Sequence, residues 1–395
     1  MKLKTVRDIS LRNKAVLVRV DYNVPIDDYG DRHIILDDTR IRQSLETLGY
    51  ILAQKPKRVV LMSHLGRPHG IDPEFSLEPV ANHLSHLIRK PVRFIYEYPN
   101  KDICDHLTGL MNGEIVMIDN VRYYHGELTN LLQYAKDLSR LGDIYVNDAF
   151  GSSHRAHASV VGVAQFLPSV AGLLLEKEIT MIDRVMDNPK SPLVAVIGGA
   201  KAETKIPMIE RLMSKADYLL LGGGVGNTFL KAFGYHVGRS LYSKESVDLA
   251  QQLIWKATRV ETNLYLPEDV VVGSFAEKMK VGVVSNQQIP RQWMSLDIGP
   301  KTCATFAEIL SKAKTIIWNG PMGANEIPVF SAGTKAVYKA ITTNNGALSV
   351  VGGGDTLSSI KGKNHLDSIT HVSTGGGAML EYIERGTLPG IEVLQ

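Results

Sequence analysis

The sequence predicts an α/β protein of two lobes, each a Rossmann-like parallel sheet covered by helices on both faces, joined by a hinge. Three observations carry this expectation. Short apolar runs rich in β-branched residues alternate with stretches of helical period. Such alternation implies crossover connections, and therefore parallel strands buried on both faces. The length of 395 residues also exceeds what one hydrophobic core usually serves, so two domains are expected.

In the first half the strand-like runs are residues 16–20 (VLVRV), 59–62, 114–118 and 144–146. Between the first two, Ile41, Leu45, Leu48 and Leu52 recur at intervals of three to four, which gives one apolar helix face. The second half repeats the grammar at 193–197, 218–221, 263–266, 315–318 and 348–351. Between the halves, residues 167–179 (LPSVAGLLLEKEI) place Pro168 and Gly172 in an apolar run that continues into a charged helical pattern. This is the expected hinge, with domains over 1–170 and 171–383. No solenoid-type repeat and no low-complexity tract is present.

Composition narrows the function. A hydrophobic fraction of 44% with 22% charged residues describes a folded soluble protein, and a net charge of +3 is too small to suggest nucleic acid. Cys104 and Cys303 have no CxxC or CxH spacing, so buried thiols are expected rather than a disulfide or metal scaffold. The first ten residues, MKLKTVRDIS, lack the apolar core of a secretory signal, and no run reaches the roughly 18 apolar residues of a membrane helix. A reducing cytoplasm fits both features.

Ligands of open parallel sheets bind beyond the carboxyl ends of the strands, so residues that follow strands are the ones to inspect. Asp21 and Asn23 follow the first strand, and Ser63, His64, Leu65, Gly66 and Arg67 the second. Asn120 with Arg122 follow the third, and Asp148 leads through Gly151 to His154, Arg155 and His157 after the fourth. Arg40 stands at a helix start behind Asp37 and Asp38. Any one of these arginines alone is more often a solvated surface residue. Gathered at one sheet edge, they suggest a pocket for a small, highly charged anion, because the guanidinium fork matches phosphate and carboxylate. The histidines lack HxH or HExxH spacing, so His64 reads as an anion donor rather than a metal ligand.

The second half carries glycine clusters directly after strands, at 194–201 (VAVIGGAK), 219–226 (LLLGGGVG), 350–356 (VVGGGDT) and 372–377 (VSTGGG). Backbone amides at such turns suit a phosphate chain, although any tight turn tolerates glycine. Neither GxxxxGK[ST] nor GxGxxG occurs in them, which argues against a P-loop enzyme and a dinucleotide-dependent oxidoreductase. Lys201 and Lys205 are candidate point charges for phosphates; Pro207 belongs in a helix's first turn and so places Lys201 in the preceding loop. Asp355 suits magnesium, which takes one or two carboxylates plus phosphate oxygens, and would equally serve as a helix cap. Gly375, Gly376 and Gly377 precede a helical pattern. Residues 319–323 (NGPMG) suit a stiff wall for a base, and Glu326 an acceptor for ribose hydroxyls.

Taken together, the motifs resemble the phosphoglycerate kinase family from about Lys14 to the carboxyl end. They are RVDYNVP (19–25), DDTRI (37–41), SHLGRP (63–68), NVRYY (120–124) and DAFGSSHRAHAS (148–159) in the first half. GGAK, GGGVGNTFLKA, DIGPKT (297–302), WNGPMG, GGGDT and STGGGA follow in the second. The resemblance implies reversible phosphoryl transfer from 1,3-bisphosphoglycerate to Mg-ADP, giving 3-phosphoglycerate and ATP, by a monomer. It implies that Asp21, Asn23, Arg40, His64, Leu65, Gly66, Arg67, Arg122 and Arg155 hold the glycerate. Gly199, Lys201, Lys205, Asn319, Pro321, Glu326, Gly353, Gly354, Asp355 and Thr356 would hold the nucleotide, and Asp355 the Mg2+. Arg40, Lys201, Gly354 and Gly377 would meet the transferring phosphoryl, and residues 384–395 would return to the first lobe. Where the family reads WNGPxGVFE this chain has Ala324 and Asn325, so an aromatic at the pocket's edge is missing; Asp119 replaces a glutamate and Tyr22 a phenylalanine. A silent scaffold keeping this fold would be expected to lose Arg40, Lys201 or Asp355 first, and all three are present.

Overall fold

The computed structural model describes residues 3–29, 32–96, 107, 112–360 and 365–395, so Cys104 lies outside the described residues. The chain forms two compact units, Met1–Ile179 with Thr387–Gln395, and Thr180–Gly386.

The first unit contains β1 (Ala15–Arg19), the hairpin β2 (Ile26–Tyr29) and β3 (Arg32–Ile35), then β4 (Arg58–Met62), β5 (Val92–Ile95), β6 (Glu114–Ile118), β7 (Ile144–Asn147) and β8 (Ser169–Ala171). Six of these make one parallel sheet in the order β5-β6-β4-β1-β7-β8. Every residue of β1 and β4 is buried, as strands covered on both faces must be. Helix Thr39–Ala53 lays Ile41, Leu48 and Ile51 on this core with Leu45 and Leu52 at its margin, which is the face its sequence period draws. The run around Pro168 and Gly172 resolves into the edge strand β8 followed by helix Leu173–Met186.

That helix starts against a buried acid. Asp148 Oδ1 accepts from the amides of Leu174 (3.0 Å) and Leu175 (3.2 Å), and Thr47 Oγ1 accepts from Leu173 N–H (3.0 Å). Gly172 is required for this approach, because a Cβ there would lie 2.0 Å from Asp148 Oδ1. Residues 387–395 complete the unit: Leu388, Ile391 and Leu394 are buried, Gly390 N–H donates to Ser153 C=O (2.8 Å), and Asn147 Nδ2 donates to Gly390 C=O (2.9 Å).

The second unit contains β9 (Leu193–Ile197), β10 (Tyr218–Leu221), β11 (Asn263–Tyr265), β12 (Asp269–Ser274), β13 (Met279–Ser285), β14 (Met294–Ile298), β15 (Thr315–Asn319), β16 (Leu348–Gly352) and β17 (His371–Ser373). Its parallel sheet runs β11-β10-β9-β15-β16-β17. The chain winds outward from β9 one way and then from β15 the other, so the crevice beyond β9 and β15 is the topological switch point where such sheets bind ligands. Trp318 in β15 is fully buried and donates Nε1–H to Gly320 C=O (2.9 Å), which ties the core to that crevice. The sequence did not announce the small antiparallel sheet β13-β12-β14 that follows β11. Cys303 is half-buried beside the core, and burial pushes its thiol up to about 12.

Burial raises the Asp148 carboxyl from 3.8 to about 7, against the hydrogen bonds from Thr47, Leu175 and Leu174. A group whose pKa is raised by folding contributes stability below its unfolded value, and that contribution is lost as pH rises through the folded value. Asp148→Asn keeps the Oδ1 acceptor and does not ionise. Between pH 5 and pH 8 the stability of the variant relative to the parent should therefore rise by about 2 kcal/mol, read from denaturant unfolding at the two pH values.

Candidate functional site

At the carboxyl edge of the first sheet, β1 ends in Arg19, a guanidinium with no exposed surface. Its Nη2 donates to His64 Nδ1 (3.1 Å), its Nε to Ser159 Oγ (2.9 Å), and its Nη1 to Val20 C=O. Arginine can only donate, so Nδ1 of His64 is the acceptor and the ring proton lies on Nε2. His64 is therefore neutral, and burial, with the charges of Arg19, Arg122 and Arg40, pushes its pKa well below the ordinary value. Asp21 follows two residues after Arg19. Burial favours its neutral form, yet the charges of Arg40 and Arg19 prevail and hold the carboxyl at about 2.

Arg40, in the first turn of helix Thr39–Ala53, donates Nη1–H to Asp21 Oδ1 (2.9 Å) and to Asn23 C=O (3.2 Å). Asn23 Oδ1 accepts from Gly66 N–H (2.9 Å), which ties the loop after β1 to the loop after β4. Gly66 has φ +59°, and a Cβ there would meet the Phe75 ring at 2.3 Å, so glycine is required. The same loop is pinned from the other side by Asn120. Its Nδ2 donates to Leu65 C=O (2.7 Å) and Phe75 C=O (3.0 Å), and its Oδ1 accepts from Arg122 N–H (3.1 Å). Arg122 Nη1 then donates to Gly66 C=O (2.7 Å). Burial, and then the charge of Arg19, lower the Arg122 pKa to about 10. Hydrogen bonds thus link Asp21, Arg40, Asn23, Gly66 and Arg122, and His64 joins them through the charges of Asp21, Arg122 and Arg40. Arg67 and Arg155 are exposed. Arg67 bears electrostatically on Arg122, whereas Arg155 sits in the turn after Ser152.

In the second unit a cleft of about 660 Å³ opens at the switch point. Gly199, Gly223, Gly224, Pro321, Met322, Glu326 and Asp355 line it, and β12 and β14 supply an opposite apolar wall with Val270, Met294 and Leu296. The glycines act mainly through close approach. The amides of Gly198, Gly199 and Gly223 donate to the carbonyls of Asn319 (2.9 Å), Pro321 (2.7 Å) and Met322 (3.0 Å). A Cβ on Gly198 would lie 2.2 Å from the Pro321 oxygen. Those amides zip loop to loop, which differs from the sequence expectation that glycine clusters mainly present bare amides.

Lys201 lies exposed in the loop after β9, as Pro207 near the start of helix Ile206–Leu212 required. Lys205 is buried, and its Nζ donates to Gly198 C=O and to Asn319 C=O (3.4 Å). Burial lowers its pKa to about 8, opposed by Asp355. Asn319 is buried, and Thr356 Oγ1, also buried, accepts from Gly320 N–H (2.6 Å). Gly353 adopts φ +101° before helix Gly354–Ile360, whose first turn presents an exposed Asp355 to the cleft. Gly377 opens helix Gly377–Arg385. Ala324 and Asn325 line the cleft where the aromatic was missed, and Phe275 supplies an exposed ring elsewhere on the wall. Among the described residues, no three His, Cys, Asp or Glu side chains cluster as metal ligands.

Both sites can be set beside known proteins. The family model described as phosphoglycerate kinase matches residues 6–386. The chain belongs to the phosphoglycerate kinase family. A phosphoglycerate kinase from Thermosipho africanus is 46% identical over 399 residues, covering 99% of this chain and 97% of that protein. Another from Dictyoglomus turgidum is 44% identical over 390 residues, covering 98% and 97%. The solved phosphoglycerate kinase structure from Coxiella burnetii superposes with a TM-score of 0.87 at 40% identity, covering 100% of this chain and 99% of that one. The structure from Pyrococcus horikoshii gives 0.86 at 32%, covering 100% and 98%. A phosphoglycerate kinase acts on small molecules, with ATP and ADP as substrates. No helix among the described residues is long and apolar enough to cross a membrane.

Arg19, Glu127 and Ser159, buried beside the first site, were not among the expected site residues, and neither was the wall from β12 and β14. One signal was available for Arg19: a lone arginine inside VLVRV is either at an exposed edge or deeply paired. Nothing local marks Glu127. The contacts around Asn120 yield a stability expectation. Asn120→Ala removes two donors and one acceptor from buried partners and should cost about 2–3 kcal/mol in denaturant unfolding, with the second unit's secondary structure unchanged.

Proposed function

We propose that the protein catalyses reversible phosphoryl transfer between 1,3-bisphosphoglycerate and ADP, giving 3-phosphoglycerate and ATP. The observation that carries this reading is the cationic network of Arg19, Arg40, Arg122 and neutral His64 in one unit of a chain whose other unit holds a switch-point cleft. The network offers guanidinium and imidazole donors for phosphate and carboxylate, with Leu65, Gly66, Arg67 and Arg155 around them. The cleft takes the nucleotide among Gly199, Pro321 and Glu326, with Lys205, Asn319, Gly353 and Thr356 supporting the loops that line it.

Phosphoryl transfer asks the protein for alignment and for compensation of charge on the moving group. No general base is required, since the accepting carboxylate or diphosphate oxygen is already ionised. Arg40, its rotamer set by Asp21, Lys201 and the helix-start amides at Gly354 and Gly377 are assigned to the transferring phosphoryl. Asp355 fits Mg2+ that arrives with the nucleotide: an exposed single carboxylate in the cleft leaves the remaining positions to phosphate oxygens and water. When bound, that ion neutralises phosphate charge. Both substrates must meet with water excluded, because water would hydrolyse the acyl phosphate. A monomeric, cytoplasmic enzyme completes the reading, supported by the family resemblance alone.

A coupled assay for ATP formation from the acyl phosphate and ADP tests the reaction directly; a protein without turnover there would be a binding or scaffold member of the family. Two variants divide the labour within the network. Arg40→Ala should lower kcat by about 10²-fold or more with a smaller change in KM. Arg122→Ala should chiefly raise the KM for 3-phosphoglycerate, by about tenfold. Identical steady-state behaviour of the two would refute the division. Asp355→Ala should raise the Mg2+ concentration for half-maximal activity by about tenfold, and a superimposable titration would remove it as a ligand.

A further inference from the structure

Beneath the cationic network lies a buried carboxylate that the reaction does not touch. Glu127 has no exposed surface, and its Oε2 accepts from Ser159 N–H (2.9 Å) while its Oε1 accepts from Ser159 Oγ (2.6 Å). His157 Nδ1 lies 3.5 Å from the same Oε1. Ser159 Oγ also accepts from Arg19 Nε (2.9 Å), so its one proton is committed to Glu127. The direction of every bond then follows: Ser159 donates to Glu127, Arg19 donates to Ser159, and Arg19 donates to His64 Nδ1. Burial alone would favour neutral Glu127, but the hydrogen bond from His157, the charge of Arg19 and the Ser159 hydroxyl keep it ionised. A carboxylate with no surface, joined by a hydroxyl to a guanidinium with no surface, is a costly arrangement unless the orientation it imposes is used.

We propose that Glu127 and Ser159 are positioning residues for the glycerate site, clamping Arg19 so that it accepts no alternative partner and holds His64 as the Nε2–H tautomer, ready to donate to the substrate anion. The proposal rests on the assignment of the first unit's cationic network to the phosphorylated glycerate. Removing a negative charge near an anion site would, through long-range electrostatics alone, tighten anion binding. Loss of the clamp would weaken it, because an Arg19 released at Nε would swing away from His64 Nδ1 and His64 would lose the bond that sets its tautomer. The two effects have opposite sign.

The decisive experiment compares the parent enzyme with Glu127→Gln and Ser159→Ala, the second of which removes one hydroxyl and no charge. Steady-state kinetics give KM and kcat for 3-phosphoglycerate and for MgATP. Ring nitrogen shifts of His64 in the 15N-labelled protein, assigned with His64→Gln, give the tautomer. Both variants should raise the KM for 3-phosphoglycerate by about tenfold with kcat and the MgATP KM within about twofold, and the His64 signals should leave the pure Nε2–H pattern. Should Glu127→Gln fail to fold, Ser159→Ala carries the same reading. An unchanged or lowered KM for 3-phosphoglycerate with the His64 tautomer intact would overturn the proposal. A parent enzyme that does not saturate with 3-phosphoglycerate, or whose KM is indifferent to Arg122→Ala, would refute the underlying site assignment, and the clamp with it.

Discussion

Crowded positive charge in a partly dry pocket is the constraint on which the first site depends. Burial first, and then neighbouring guanidinium charge, lowers the pKa of Arg122 and of His64. Such an assembly is tolerable only where carboxylates stand among the cations and most donors have acceptors; Arg122 Nε is left without one. Asp21 meets Arg40 directly, and Glu127 reaches Arg19 through Ser159. Backbone carbonyls of Val20, Asn23 and Gly66 take further donors. What remains is a pocket still positive in sum whose side chains are already hydrogen-bonded in place. Preorganisation of that kind is what makes a cation effective against developing charge.

The second unit solves a different problem with different chemistry. There loop backbone packs directly on loop backbone, which is possible only where side chains are absent. The loops after β9, β10 and β15 meet through glycine, and their amides and carbonyls bond to one another at the switch point. Lys205, buried beneath, donates to carbonyls of two of these loops. The crevice is thereby stiff on its glycine side, and the antiparallel sheet β13-β12-β14 gives it an apolar counterface.

How much of this was legible in the sequence depended on whether a signal was local. Strands buried on both faces read as apolar runs, and β6, β9 and β10 were delimited to the residue. The antiparallel sheet was not, because β13 is largely exposed and its residues 279–285 alternate too weakly to stand out. The candidate residues chosen because they follow strands do lie at the sheets' carboxyl edges, the position the fold favours for ligands. Glu127 and Ser159 were not among them, since a buried ion network is defined by partners 30 residues apart or more, and no spacing rule reports it. The burial of Lys205 and Thr356 belongs to the same class: their neighbours in space lie on other strands.

The return of residues 387–395 to the first unit sets an order for the chain's assembly. Asn147 and Gly390, bonded within one unit, are 243 positions apart, and the whole of the other unit is threaded between them. On a ribosome the amino-terminal sheet emerges early yet must wait, lacking Leu388, Ile391 and Leu394, while the intervening unit has all its own residues to hand. The contacts of Gly390 with Ser153 and Asn147 can therefore close only after the whole intervening unit has been synthesised.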